Sequence, residues 1–176
     1  MSECNTDTEI QRQELIVLAE KAAEQTVKKL KARSIKLALA ESCTAGLVSS
    51  LLAEVPGASG VLWGSFVCYT KEAKILMLGL GENEIEKYGL VSKETACKMA
   101  EGALKKSRAN IAASVTGLAG PKGDGSLAPV GTVWIAAASS QTIESKKYHF
   151  SGDRNEVRLR AAIAVMKMIK KIIKEF

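Results

Sequence analysis

Residues 36–46 read Lys36-Leu37-Ala38-Leu39-Ala40-Glu41-Ser42-Cys43-Thr44-Ala45-Gly46. Ile35 to Ala40 is a short apolar run of strand length, and Thr44 to Glu54 carries a helical pattern that Pro56-Gly57 ends. A buried strand passing directly into a helix is the repeating unit of an α/β layer protein. Ser42 falls at the junction. Backbone N–H groups at a helix start lack intrahelical partners and favour an anion or a developing oxyanion. A hydroxyl placed there can attack a carbonyl while those N–H groups hold the tetrahedral intermediate. The spacing equally fits Ser42 or Thr44 as a plain N-cap.

The flanking sequence extends the pattern. Residues 9–32 read as an amphipathic helix with Ile10, Leu15, Leu18, Ala22 and Leu30 on its apolar positions. Val61 to Thr70 is rich in aromatic and β-branched residues and reads as a strand. Lys71 to Leu78 is a helix stopped by Gly79, and Asn83 to Tyr88 a short helix stopped by Gly89. Ser92-x-x-Thr95 opens a helix to about Ser107, with Ala96, Met99, Ala100 and Ala103 facing inward. Ile111 to Thr116 is a strand. Gly117 to Pro129 is a long Gly/Pro loop. Val130 to Ala138 and Ile143 to Phe150 form a hairpin, and Glu156 to Phe176 closes the chain as a helix. The expected fold is α/β: a three-layer α/β/α arrangement with one mixed sheet flanked by helices, the terminal hairpin excluding a purely parallel sheet.

With 176 residues, 47% of them hydrophobic, the chain fits a single domain over 1–176, with 1–8 as a flexible tail. No apolar run reaches the roughly 18 residues that span a bilayer. The N-terminus has no basic and apolar leader pattern, so a cytoplasmic location is expected. The +6 charge sits largely in Lys28-Lys29-Leu30-Lys31, Lys146-Lys147 and Lys167 to Lys174, which read as solvated helix faces. Aromatic residues do not interleave with these lysines, so no nucleic-acid partner is expected. Cys4, Cys43, Cys68 and Cys97 show no C-x-x-C spacing and His149 is the single histidine, so no metal site is expected.

A serine nucleophile needs a base. His149 lies in an alternating strand without a nearby acid, which leaves a Ser-His-Asp triad poorly supported. Lysine serves when burial lowers its pKa. Tyr69, at a strand end, and Lys74, followed by Ile75-Leu76-Met77-Leu78, are both able to reach a crevice at the strand ends. A packing tyrosine and a solvated helix lysine are the alternatives. Ser114-Val115-Thr116-Gly117-Leu118-Ala119-Gly120-Pro121 places glycines just after a strand, where loops of open α/β sheets commonly bind ligands. A plain turn fits the same residues. Asp153 and Glu156 match a capping box, which puts Arg154 at a helix start, able to hold a phosphate or carboxylate bidentately or simply to pair with a neighbouring acid.

Taken together and in order, Ala40-Glu41-Ser42-Cys43-Thr44, Tyr69-x4-Lys74, Thr116 to Pro121, Pro129-Val130-Gly131-Thr132-Val133 and Gly152-Asp153-Arg154 resemble the CinA C-terminal family. Its characterised activity is nicotinamide-nucleotide amidohydrolysis. The resemblance runs from about Leu15 to the C-terminus and, with no room for a further N-terminal domain, is to the stand-alone form. It implies hydrolysis of the carboxamide of nicotinamide mononucleotide, with Ser42 as nucleophile and Lys74 with Tyr69 as its base. It further implies substrate contacts at Thr44, Gly46, Ser59, Thr116, Gly117 and Arg154, no cofactor, a small-molecule nucleotide as partner and a homodimer. An amidase for another nucleotide-like amide, or a non-catalytic regulatory module, are the alternative functions. The chain departs from the family's Ser-Cys-Thr-Gly-Gly at Ala45; an alanine at a helix start is expected to be accommodated.

Overall fold

The computed structural model describes residues 3–125 and 128–175. Strand β1 (Leu37–Glu41) sits inside the sheet and is buried along its whole length. It pairs in parallel with β2 (Leu62–Val67) on one side and β3 (Ile111–Gly117) on the other. β4 (Thr132–Ser139) and β5 (Ile143–His149) continue the sheet antiparallel, giving the order β2-β1-β3-β4-β5. The parallel part needs helical crossovers, which α2 (Leu47–Ala53) supplies between β1 and β2, and α3 (Lys71–Leu78), α4 (Glu82–Tyr88) and α5 (Lys93–Ser107) between β2 and β3. The helices α1 (Glu3–Ala32) and α6 (Arg154–Ile172) complete the layers. The expected three-layer α/β/α fold with one mixed sheet is the observed one.

The two faces of the sheet differ in side-chain size, and this sets how closely the helices approach. Leu37 and Leu39 of β1 point into a core of large aliphatics shared with α1, α2 and α6, including Leu30, Leu52, Ile135, Met166 and Ile169. Ala38 and Ala40 point the other way, where Ala96, Met99, Ala100 and Ala103 of α5 meet Ala112, Ala136 and Ala138. Small residues on both partners let α5 lie close to the sheet. Its contact with α3 is closer still, because a Cβ at Gly102 would collide with the Leu78 carbonyl.

Several boundaries differ from expectation. α1 starts at Glu3 rather than residue 9, so its backbone runs through part of the segment expected to be a flexible tail; residues 1 and 2, like Ser126, Leu127 and Phe176, lie outside the described residues. β2 is shorter than Val61 to Thr70, and its register slips at Trp63, the residue between the Leu37–Leu62 and Ala38–Gly64 pairs. The helix after Ser42 begins at Leu47, not Thr44. Residues 42–46 instead form a turn in which Ala45 (φ 49°) and Gly46 (φ 90°) are both left-handed. The capping box ahead of α6 is present: Asp153 accepts from the Asn155 and Glu156 N–H groups (2.7 and 2.9 Å), and Glu156 accepts from the Asp153 N–H (2.8 Å).

Because β1, β2 and β3 run in parallel, Glu41, Val67 and Gly117 end at one edge of the sheet. Antiparallel pairing brings the start of β4 and the end of β5 there too, and α6 starts nearby. Open α/β sheets bind ligands at this edge.

Candidate functional site

Ser42 is fixed by the strands on either side of it. Its N–H donates to the Val115 carbonyl (3.0 Å), one step beyond the β1–β3 ladder, while the Cys68 N–H donates to the Glu41 carbonyl (2.9 Å), one step beyond the β1–β2 ladder. The Ala45 N–H then turns back to the Ser42 carbonyl (3.0 Å). The chain thus leaves the sheet tightly, and the N–H groups of Cys43 and Thr44 make no hydrogen bond to another of the described residues. They are the orphan donors that a strand-to-helix turn produces.

Lys74 comes to the same point from α3. Thr70 caps that helix by accepting from the Ala73 N–H (3.1 Å), and the first turn directs Lys74 back under the strand ends. Its side chain is 1% exposed. Lys74 Nζ lies 2.9 Å from Ser42 Oγ and donates to the Cys68 carbonyl at 2.9 Å. Burial disfavours the ammonium form and lowers its pKa from the usual 10.5. No carboxylate forms an ion pair with Lys74 among the described residues. A buried amine with a lowered pKa in contact with a hydroxyl can remove its proton.

The neighbouring thiols are not equivalent to the hydroxyl. Burial pushes Cys43 up to about 12 and Cys68 up to about 11, so both are protonated at neutral pH. Cys43 belongs to the aliphatic core, as expected of a small apolar residue.

Ser42, Lys74, Tyr69, Thr116, Gly117 and Arg154 line one crevice of about 210 Å3 at the sheet edge. Thr116 is turned to the Leu90 carbonyl (2.9 Å), which ties β3 to the chain ahead of α5. Gly117 cannot carry a side chain, since a Cβ would lie 2.6 Å from the Thr132 carbonyl. Arg154 spans the crevice mouth, donating to the Gly120 carbonyl and to Tyr69 Oη, each at 2.7 Å. Tyr69 is therefore paired with Arg154 at the rim and does not stand between Ser42 and Lys74, which touch directly.

Three of the expected positions play other parts. Thr44 is fully buried, its hydroxyl donating to Glu41 Oε2 (2.8 Å). Gly46 precedes α2 in a left-handed conformation without facing the crevice. Ser59 lies in the short turn Ala58–Gly60 just ahead of β2, at the opposite end of the sheet from Ser42, so within one chain it does not reach the site.

Two residues of the site's frame were not singled out from the sequence. Glu41 is a fully buried carboxylate at the end of an apolar strand, itself an unusual place for a charge. Arg158, one helical turn beyond Arg154 on α6, donates to the Thr44 carbonyl (2.8 Å). Lys122 and Asp124 of the Gly-rich loop also line the crevice. Among the described residues no group of three or more His, Cys, Asp or Glu side chains is placed to hold a metal ion.

Comparison with known proteins places this geometry. Residues 19–173 match the CinA C-terminal domain model. The chain belongs to the CinA C-terminal domain family. A CinA-like protein of Thermotoga neapolitana is 43% identical over 156 residues, covering 89% of this chain but 38% of the relative. The chain thus spans little more than a third of that curated relative. Among solved structures, the competence/damage inducible protein CihA of Agrobacterium tumefaciens superposes with a TM-score of 0.85 at 36% identity, over 88% of this chain and 95% of that one. A CinA superfamily protein of Klebsiella pneumoniae gives 0.87 at 27% identity, over 90% and 99%. The CinA region takes in the Ser42 turn, Tyr69, Lys74, the Gly-rich loop and Arg154. No helix among the described residues of this CinA chain is long and apolar enough to cross a membrane.

Proposed function

We propose that this CinA-family chain hydrolyses the carboxamide of nicotinamide mononucleotide to nicotinate mononucleotide and ammonia. The observation that carries the reading is the 2.9 Å contact between Ser42 Oγ and a buried Lys74 whose pKa is lowered. Neutral Lys74 takes the hydroxyl proton as Ser42 attacks the amide carbon. The unpartnered N–H group of Cys43, beside Ser42 in the crevice, receives the oxyanion; loss of one such donor costs about 3 kcal/mol of transition-state stabilisation. The tetrahedral intermediate collapses to an acyl-enzyme as Lys74 returns the proton to the leaving nitrogen. Water, deprotonated by the same amine, then releases the acid and regenerates Ser42.

The rim supplies recognition. Arg154 uses two of its five N–H donors on Tyr69 and Gly120, so others stay available to a 5′-phosphate, and Lys122 adds a second positive charge to the crevice. Tyr69 Oη, accepting from Arg154, keeps its own proton to donate to the substrate.

The test is product-resolved: ammonia and nicotinate mononucleotide are measured for wild type, Ser42→Ala and Cys43→Ala. Ser42→Ala is expected to lose activity by about 10³-fold or more, and Cys43→Ala to retain at least a third. Full activity in Ser42→Ala would rule out the nucleophile. Ammonia release from other phosphorylated amides but not from this nucleotide would redirect the substrate and leave the chemistry standing.

A further inference from the structure

Glu41 accepts four hydrogen bonds, two on each carboxylate oxygen. Oε2 takes the Thr44 hydroxyl (2.8 Å) and the Val48 N–H (3.0 Å). Oε1 takes the Ser49 N–H (2.9 Å) and the Ser65 hydroxyl (3.1 Å). An ionised carboxylate has about four acceptor positions, so its capacity is filled. The donors come from the Ser42 turn, from the first turn of α2 and from β2. Gly46 offers no side chain to cap α2. Glu41 does so from the preceding strand, seven and eight residues back, and draws the helix start against the end of β1.

The turn so enclosed is strained. Ala45 is in a left-handed conformation that a Cβ disfavours, and Gly46 follows it there. Such a turn persists only where its surroundings over-determine it. Glu41 holds it from the side of α2, and Arg158 grips the Thr44 carbonyl from the side of α6. Between those two anchors lie Ser42 and the free N–H groups of Cys43 and Thr44.

We propose that Glu41 is a positioning residue of this site: its four-donor grip fixes the turn that aims Ser42 Oγ at Lys74 and leaves the N–H group of Cys43, which lines the crevice, without a partner. This rests on the reading of Ser42 as nucleophile. Its action is geometric, not a matter of charge on the base. Glu41→Gln keeps the shape but turns an NH2 group toward one donor pair. The hydroxyl of that pair can rotate to accept, whereas the backbone N–H cannot. The turn then shifts, and misplacement of a reacting group by an ångström can cost about 10²-fold in rate.

The experiment uses the full chain and two readouts: steady-state hydrolysis of nicotinamide mononucleotide, and the rate at which a fluorophosphonate labels Ser42, which does not depend on the substrate. In Glu41→Gln, kcat and the labelling rate are expected to fall at least tenfold, with KM within threefold and the acid limb of the pH profile unmoved. Ser65→Ala, which deletes one donor without a clash, is expected to lower both rates about threefold. Folded Glu41→Gln with both rates within twofold of wild type would overturn the proposal while leaving the nucleophile intact. So would unchanged rates in Ser65→Ala if Glu41→Gln does not fold. Failure of wild type to label would overturn the nucleophile and this inference together. Labelling without hydrolysis of the nucleotide would count only against the substrate, and the labelling rates would still decide the role of Glu41.

Discussion

Ser42 and Cys43 are adjacent, both nearly buried, and chemically unalike. The hydroxyl touches the amine of Lys74, whereas burial holds the thiol protonated at neutral pH. Proximity in sequence thus says little about which atom reacts; the direction of the side chain and its desolvation decide. Ala45 shows the same limit. In the sequence it reads as a harmless alanine at a helix start, but the helix begins two residues later and Ala45 adopts φ 49°. A non-glycine residue there costs about 1 kcal/mol. Ala45→Gly is therefore expected to raise unfolding stability by about 0.5–1 kcal/mol in a denaturant titration, with no loss of activity. A destabilised Ala45→Gly would mean that the alanine methyl makes packing contacts worth more than the strain.

Elements were legible where a local signal fixes them. Ser92 and Asp153 each cap the helix that their spacing announces, and Gly79 ends α3 in a left-handed conformation. The boundaries that moved did so for tertiary reasons. α2 begins late because Glu41, a residue of the preceding strand, caps it, and no local pattern encodes a cap from so far back. β2 stops at Val67 because its pairing partner β1 ends at Glu41, directly opposite. Site residues followed the same division. Lys74 and Arg154 could be placed by their helix starts, whereas the roles of Glu41 and Arg158 depend on partners that only folding brings near. The Asp153 cap gives a prediction at this scale. Asp153→Ala removes the acceptor for two N–H groups at the start of α6 and is expected to cost about 1 kcal/mol in stability. Since Arg154 is the next residue, KM for the phosphorylated substrate is expected to rise as well. An unchanged melting curve would show that the box does not secure this helix.

For the whole molecule, the sheet edge gathers Ser42, Lys74 and Arg154 from β1, α3 and α6, so folding and the site are coupled through one buried amine. The unfolded chain binds a proton on Lys74 up to about pH 10.5, and the folded chain releases it at lower pH. Between the two values the unfolded state holds more protons, so this contribution to stability is present in full above the unfolded value and is lost as pH falls through the folded one. Lys74→Met is expected to abolish activity and to remove this part of the rise in stability with pH, measured as melting temperature against pH for both proteins. The rate follows the same amine. On its acid limb, kcat/KM of wild type is expected to rise tenfold per pH unit to a plateau reached below pH 10.5. The most direct test of the central claim is acid-quench mass spectrometry of the protein during turnover with nicotinamide mononucleotide. An acyl adduct mapped to the peptide holding Ser42, absent from Ser42→Ala, is the predicted result. Turnover that persists in Ser42→Ala, or an adduct on Cys43, would contradict the account.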